Sequence, residues 1–136
     1  MKNLFNIHDN VVVMTGGTGV LGGSIAKYLA AQGARIAILG RRESAGTDLV
    51  NEIEEQGGVA QFYQTDVMDK VALEQCREDI LTDFGRVDTL INAAGGNMAG
   101  ATIAPNQTFF DIDTDQFQKV LNLNLMGTVL PTQVFL

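Results

Sequence analysis

The sequence predicts an α/β fold with a doubly wound parallel sheet. Short apolar runs rich in Val, Ile and Ala alternate with longer segments whose apolar residues recur every three or four positions. Glycines mark the changes between them, as in residues 15–23 and at Gly57 and Gly58. Strands that alternate with helices in this way form βαβ units, right-handed crossovers and a parallel sheet.

Length, charge and cysteine content narrow the class of protein. The 136 residues are enough for one domain, residues 1–136, and the net charge of −7 argues against a nucleic-acid partner. No apolar run approaches the ~20 residues that cross a membrane. The first seven residues lack a signal-peptide core, and the one cysteine, Cys76, cannot form an internal disulfide. We therefore expect a cytoplasmic protein with no membrane partner and no metal centre.

The first strand, predicted over residues 11–14, ends in a cluster of glycines that opens a helix. Gly16, Gly17 and Gly19 can adopt positive φ angles and let a ligand approach the backbone. Gly22 would let the helix pack tightly on the strand. The unpaired N–H groups at the start of that helix attract phosphate. A plain structural turn is the alternative, but the position between strand and helix favours a Rossmann-type, dinucleotide-binding fold.

The next elements follow from apolar periodicity. After the glycines, a helix ending at Gly33 is predicted to press an apolar stripe onto the sheet, with small alanines beside it: Leu21, Ile25, Tyr28 and Leu29. Residues 34–39 are predicted to form the second strand. A more polar helix is predicted over residues 43–56, and its inner face carries Leu49, Val50 and Ile53.

The third and fourth strands are predicted over residues 59–64 and 87–91. Between them, Asp69 can cap a helix that ends at Gly85 and whose apolar stripe is Leu73, Cys76, Ile80 and Phe84. Ligands of open parallel sheets bind outside the carboxyl ends of the strands. Four stretches of interest fall at that edge, which favours a single site there: residues 15–22, 40–42, 66–67 and 92–96.

A long irregular stretch, residues 97–113, precedes the last helix. Its paired Phe109 and Phe110 could line a substrate pocket or anchor the loop to the core. The last helix begins near residue 114, with Asp113 or Thr114 as its cap, and Gly127 and Pro131 should weaken or kink it. Its apolar stripe consists of Phe117, Val120, Leu121 and Leu125. Further apolar residues extend this surface nearly all round the helix, which should therefore be buried or shared with another subunit: Leu123, Val129, Leu130 and Val134.

Five stretches resemble the N-terminal half of a short-chain dehydrogenase/reductase, in this order along nearly the whole chain: residues 15–22, 40–42, 66–67, 92–95 and 122–127. The resemblance implies that the glycine turn holds the cofactor pyrophosphate and that Asp66 and Val67 contact the adenine. Residues 92–95 would lie beside the nicotinamide half. The implied cofactor-binding residues are Gly16, Gly17, Thr18, Gly19, Val20, Leu21, Gly40, Arg41, Arg42, Asp66, Val67, Asn92, Ala93, Ala94 and Gly95.

Asn124 resembles the family's catalytic asparagine, which holds a water in a proton relay. A core asparagine that satisfies backbone groups is the alternative. The glycine spacing departs from the family's main branch, which would place a glycine at Val20, and resembles the branch that contains sugar-nucleotide epimerases. Residues 92–95 and Asn124 nevertheless follow the main branch. Residues 16–22, 92–97 and 121–128 are similar to D-mannonate oxidoreductases (fructuronate reductases) and gluconate dehydrogenases, which implies a sugar acid or polyol as substrate.

The family's chemistry also needs a Ser and a Tyr-x-x-x-Lys beyond the last helix. Neither Tyr28 nor Tyr63 has a lysine four residues later. We therefore expect a sheet that is incomplete at its C-terminal end, a longer parent enzyme, and no turnover by this piece alone. A non-catalytic dinucleotide-binding or regulatory module is the alternative. The full-length protein is expected to be a homodimer or homotetramer, because related enzymes pair through the last helix.

The end of the second strand predicts the cofactor. An NAD site usually has a carboxylate there for the ribose 2′-hydroxyl, whereas this chain has Gly40 followed by Arg41 and Arg42. A guanidinium binds a 2′-phosphate through charge-assisted hydrogen bonds, which predicts NADP with Arg41 as the main ligand. NAD is the alternative if Arg41 only stacks on the adenine, and Glu43 could pair with an arginine and weaken the preference.

Overall fold

The computed structural model describes residues 5–136 as an α/β fold with one four-stranded parallel sheet. Residues 1–4, which belong to the segment without signal-peptide features, lie outside the described residues. The strands are β1 (Val11–Thr15), β2 (Arg35–Gly40), β3 (Val59–Gln64) and β4 (Thr89–Asn92). The helices are α1 (Val20–Ala31), α2 (Glu43–Glu55), α3 (Lys70–Phe84) and α4 (Thr114–Phe135).

The sheet is covered on both faces. Its strand order is β3-β2-β1-β4, so the chain passes from one side of β1 to the other between β3 and β4. Val11 and Val13 pack with side chains of α3 and α4, whereas Val12 and Met14 pack with those of α1 and α2. Every residue of β1 is buried. A strand buried on both faces is characteristic of a doubly wound parallel sheet, and the predicted fold class is confirmed.

The helix α3 agrees with its sequence prediction. The Asp69 carboxylate accepts a hydrogen bond from the Ala72 N–H at 3.0 Å and caps the helix. Gly85 ends it with a left-handed φ of 81°. Cys76 is buried in the core, and this burial raises the pKa of its thiol to about 12, with a smaller contribution from Asp79. The predicted stripe is buried throughout: Leu73, Cys76, Ile80 and Phe84.

The stripe predicted for α1 is wrong at three of its four positions, whereas Leu29 is half-buried and packs against the core. Leu21 is 79% exposed, Tyr28 is 67% exposed and Ile25 is 40% exposed. The buried face consists of the small residues Gly22, Gly23, Ala26 and Ala30. The helix leaves the glycine turn so close to the backbone beneath it that only small residues fit between them, as the contacts of Gly22 described below show.

The strand β4 begins at Thr89, two residues later than predicted. The Asp88 carboxylate accepts a hydrogen bond from the Val11 N–H at 2.8 Å, so a side chain occupies the donor that a strand partner would use. Asp88 also pairs with Arg86, and this hydrogen bond, followed by that from Val11, lowers the Asp88 pKa. The Asp88 N–H still donates to the Val11 carbonyl at 2.9 Å, so the Asp88 side chain replaces only the backbone acceptor of the Val11 N–H at the start of β4.

Residues 97–113 form the expected irregular loop, with two short 3₁₀ turns at Ala99–Ala101 and Phe109–Asp111. Phe109 and Phe110 meet edge to face with ring centroids 6.0 Å apart, and they are 72% and 93% exposed. They do not anchor the loop to the core, which was one of their two predicted roles. Their role in lining a substrate pocket stays a prediction.

The helix α4 is capped by Asp113, whose carboxylate accepts hydrogen bonds from the N–H groups of Asp115 and Gln116. It continues through the fully buried Pro131, and its buried residues lie in its C-terminal half. The predicted stripe is exposed in this chain at Phe117, Leu121 and Leu125. Burial within the chain is therefore observed at the C-terminal end of the predicted apolar surface, at Val134 and Leu130, and not at these three residues. Among residues 5–136, no helix combines the length and apolarity of a membrane span.

Candidate functional site

A cleft of about 480 Å³ opens where the four strands end. It brings together parts of all four stretches that the sequence places at this edge, because the carboxyl ends of parallel strands share one side of the sheet. Leu39, Thr65 and Leu123 also line it and were missed by sequence reasoning. The predicted residues in its wall are Gly16, Thr18, Gly19, Gly40, Arg41, Arg42, Asp66, Val67, Ala93, Ala94 and Gly95.

Four predicted cofactor-binding residues do not line this cleft: Gly17, Val20, Leu21 and Asn92. Gly17 is buried beneath the turn, while Val20 and Leu21 project from the first turn of α1 and are largely exposed. The Asn92 side chain donates to the Thr132 hydroxyl at 3.1 Å and joins β4 to α4. Their predicted roles toward a cofactor stay predictions.

The glycine turn is packed backbone against backbone. Of Gly16, Gly17 and Gly19, only Gly16 has a positive φ, 65°. A Cβ at Gly16 would lie 2.5 Å from the Ala93 carbonyl oxygen, and a Cβ at Gly22 would overlap the Gly16 carbonyl. A Cβ at Gly19 would meet one atom, the Gly16 oxygen at 3.3 Å. Gly16 and Gly22 are therefore required for the turn itself, whereas Gly19 keeps the cleft wall free of side-chain atoms.

Thr15 joins the glycine turn to the segment after β4. Its hydroxyl, on a fully buried residue, accepts hydrogen bonds from the N–H groups of Ala93 and Ala94, both at 3.2 Å. Two backbone donors beyond the end of β4 are thereby satisfied without a strand partner. Sequence reasoning did not assign this role. The available signal was a hydroxyl residue at the end of an otherwise apolar buried strand.

The end of β2 approaches the glycine turn closely. A Cβ at Gly40 would lie 3.1 Å from the Thr18 methyl carbon, and Arg42 Nη2 donates to the Thr18 carbonyl at 3.3 Å. The Arg41 side chain lines the cleft and has no hydrogen bond or ion pair with any described residue. Glu43 forms no ion pair with either arginine, so the pairing considered from the sequence is absent among residues 5–136.

Thr65, Asp66 and Val67 form the wall beyond β3. One Asp66 carboxylate oxygen accepts the Met68 N–H at 2.9 Å and fixes the turn into α3. Val67 packs under α4, where a Cβ at Gly127 would lie 3.2 Å from its methyl group. The Thr65 hydroxyl is buried and has no hydrogen-bond partner among the described residues. A buried hydroxyl without a partner destabilises the folded state unless a water or ligand forms a hydrogen bond with it.

Asn124 clamps α4 to the segment after β4. Its Nδ2 donates to the carbonyls of Gly96 and Val120, each at 2.8 Å, and its Oδ1 accepts the Gly96 N–H at 3.3 Å. A Cβ at Gly95 would lie 2.6 Å from Oδ1, so this glycine makes the contact possible. Both amide donors are thus used by backbone groups. The bonding matches the alternative considered for Asn124, but the residue is exposed rather than part of the core.

Neither tyrosine of this chain lines the cleft. Tyr63 is buried on β3 and donates its hydroxyl hydrogen to Asp83 at 2.8 Å. Burial, reinforced by that hydrogen bond, raises the Tyr63 pKa. Tyr28 projects from α1 into solvent. The part of the chain that the structure describes therefore offers no phenol for proton transfer in the cleft.

The chain is similar to known proteins along almost its whole length. The family profile for short chain dehydrogenase matches residues 10–136. The chain is 41% identical to an oxidoreductase named UxuB from Bacillus subtilis (strain 168) over 138 aligned positions, covering 96% of this chain and 50% of the relative. The chain thus spans about half the length of the curated relatives it matches.

Solved structures show the same fold. A proposed D-mannonate oxidoreductase from Haemophilus influenzae, with bound NAD, superimposes with a TM-score of 0.88 at 38% identity, covering 96% of this chain and 50% of that one. A metagenomic short-chain oxidoreductase in complex with NADP superimposes with a TM-score of 0.81 at 25% identity, covering 96% and 56%. Proteins similar to this chain therefore include both an NAD complex and an NADP complex.

Proposed function

The chain belongs to the short-chain dehydrogenase family, and we propose that its cleft holds the dinucleotide of an NAD(P)-dependent oxidoreductase. The observation that carries this proposal is the glycine turn. Backbone atoms occupy the positions where the Cβ atoms of Gly16 and Gly22 would lie, so the turn is built from backbone alone. The uncapped start of α1 adds backbone N–H groups, and no acidic residue occupies its first turn to repel a pyrophosphate.

The other walls fit the remaining parts of such a cofactor. Asp66 has one carboxylate oxygen engaged by Met68 and another available to accept from an adenine amino group. The orphaned Thr65 hydroxyl lies nearby in the same wall. Ala93, Ala94 and Gly95 offer a flat wall of small residues on the β4 side. When bound, the nicotinamide exchanges a hydride with the substrate.

The experiment that tests the site is Gly19→Val in the full-length protein, with calorimetric titration of NADPH and NADH. A side chain here meets one backbone atom but narrows the cleft, so the protein should fold while affinity for both cofactors falls at least about tenfold. Ser24→Ala, on the exposed side of α1, is the matched control. Unchanged affinity in a folded Gly19→Val protein contradicts the proposed site.

We also propose NADP as the preferred cofactor. Support comes from Gly40, which places no carboxylate at the end of β2, and from Arg41, which lines the cleft and whose guanidinium has no partner among the described residues. Because a similar structure contains NAD, the proposal concerns the relative affinity for the two cofactors and does not exclude NAD binding. Arg41→Ala should weaken NADPH binding about tenfold or more while sparing NADH. Tighter NADH binding by the wild type contradicts this choice.

For the substrate we propose a sugar acid or polyol, supported by the sequence resemblance and by the similar Haemophilus protein. Asn124 is proposed to act as the catalytic asparagine that holds a water in the proton relay, and its side chain also joins the segment after β4 to α4. Asn124→Ala should lower kcat with little change in cofactor affinity. Loss of thermal stability with intact turnover would favour a purely structural asparagine. The whole protein is proposed to be a homodimer or homotetramer that uses the exposed stripe of α4.

A further inference from the structure

Gln64, the last residue of β3, extends the pairing of β2 with β3 beyond the two strands. Gly40 stands opposite Gln64 in the register, and the Thr65 N–H donates to the Gly40 carbonyl at 2.9 Å. One residue further, β2 has left the sheet and no strand backbone remains beside it. There the Gln64 Nε2 donates to the Arg41 carbonyl at 3.0 Å. A side chain thus supplies the next donor of the ladder.

This hydrogen bond holds the backbone at the point where two arginines diverge. The Arg42 side chain is directed to the glycine turn, where it donates to the Thr18 carbonyl at 3.3 Å. The Arg41 side chain lines the cleft and is bonded to no described residue. One arginine therefore ties the β2 end to the turn, and the other is available to a ligand. Which role each arginine takes depends on the backbone conformation directly after β2.

We propose that Gln64 is a positioning residue for cofactor selection: by holding the Arg41 carbonyl, it aims the Arg41 guanidinium at the 2′ position of the adenosine ribose. This inference rests on the proposed NADP preference. In this proposal Gln64 at the end of β3 holds the backbone after β2, and that backbone orients the Arg41 side chain, which determines the selectivity. Gln64 itself does not line the cleft.

Selectivity and stability can be separated at this position. Gln64 is exposed, and one exposed hydrogen bond adds little to folding. A guanidinium that binds a phosphate requires correct alignment of planar donors, so loss of backbone positioning acts more strongly on NADPH than on NADH. A merely structural role of Gln64 would change the melting temperature and leave the ratio of the two dissociation constants unchanged.

The test uses Gln64→Met, which keeps the side-chain length and removes the donor. Gln61→Met is the matched control, since Gln61 lies on the same strand, is also exposed, and donates to Asp83 at 2.7 Å outside the cleft. Dissociation constants for NADPH and NADH are measured by fluorescence titration of the full-length protein. We expect the ratio of NADH to NADPH dissociation constants to fall about fivefold in Gln64→Met and to stay unchanged in Gln61→Met.

The double variant Gln64→Met/Arg41→Ala completes the cycle. Because Gln64 acts through Arg41, the double variant should be no less selective than Arg41→Ala alone. If Arg41→Ala loses selectivity and Gln64→Met matches the control, the positioning role is wrong and the proposed arginine site stands. Additive losses would show that Gln64 acts independently and also overturn the inference. If the wild type does not favour NADPH and Arg41→Ala leaves the ratio of dissociation constants unchanged, the proposed cofactor preference is wrong, and so is the inference.

Discussion

The helices α1 and α3 pack on opposite faces of the sheet in opposite ways. The helix α3 buries large side chains such as Leu73 and Ile80, whereas α1 buries glycine and alanine and leaves Leu21 79% exposed. The cause is the distance between the start of each helix and the backbone beneath it. The helix α3 follows a capped turn with room for side chains, while α1 starts against the backbone of Gly16. Apolar periodicity identifies the face of a helix only where such room exists.

The largest effect should come from removing atoms under α3. Leu73→Ala should lower the free energy of unfolding by about 2–5 kcal/mol, because Leu73 is fully buried and its truncation leaves a cavity. Leu21→Ala is the matched change on α1 and should stay within about 0.5 kcal/mol, since that side chain is exposed. Chemical denaturation of the full-length protein measures both. Equal losses would mean that another part of the full-length protein covers Leu21.

A smaller effect, of opposite origin, should come from adding one atom under α1. Gly22→Ala should destabilise by about 1–3 kcal/mol, because its Cβ meets the Gly16 carbonyl and neither backbone can move freely. Gly23→Ala is the control, since its Cβ would meet its nearest neighbour at 3.4 Å, an ordinary contact. Thermal unfolding and cofactor titration are both informative. A Gly22→Ala protein as stable as Gly23→Ala would refute the close approach of α1.

The smallest effect concerns the thiol beneath α3. Because the Cys76 pKa is raised to about 12, the folded protein should resist alkylation by iodoacetamide near pH 8, and unfolded protein should react readily. The thiol of the unfolded chain ionises near pH 8.5, so between that pH and about 12 the folded state retains a proton that the unfolded state releases. Stability should therefore decline as pH rises through this range. Rapid alkylation of folded protein would show that α3 opens locally.

The alternation of strands and helices, the caps of α3 and the apolar stripe of α3 were predictable because each depends on residues close together in the chain. The position of the cleft was predictable too, since four separate stretches all followed predicted strands. The role of Thr15 was not, because its partners lie 78 and 79 residues away, at Ala93 and Ala94. The failure at α1 has the same origin, since periodicity carries no information about the backbone beneath a helix.

The sequence by itself determined the parallel α/β architecture, the glycine turn and the absence of a carboxylate at the end of β2, because local propensity and residue identity suffice for each. Only the tertiary structure decided that Arg42 ties the turn while Arg41 stays available, and that Gln64 holds the backbone between them. It also decided that both Asn124 amide donors serve backbone carbonyls. The reason is physical: a hydrogen bond between distant segments depends on distances that packing sets, and residue identity specifies only which groups can form it.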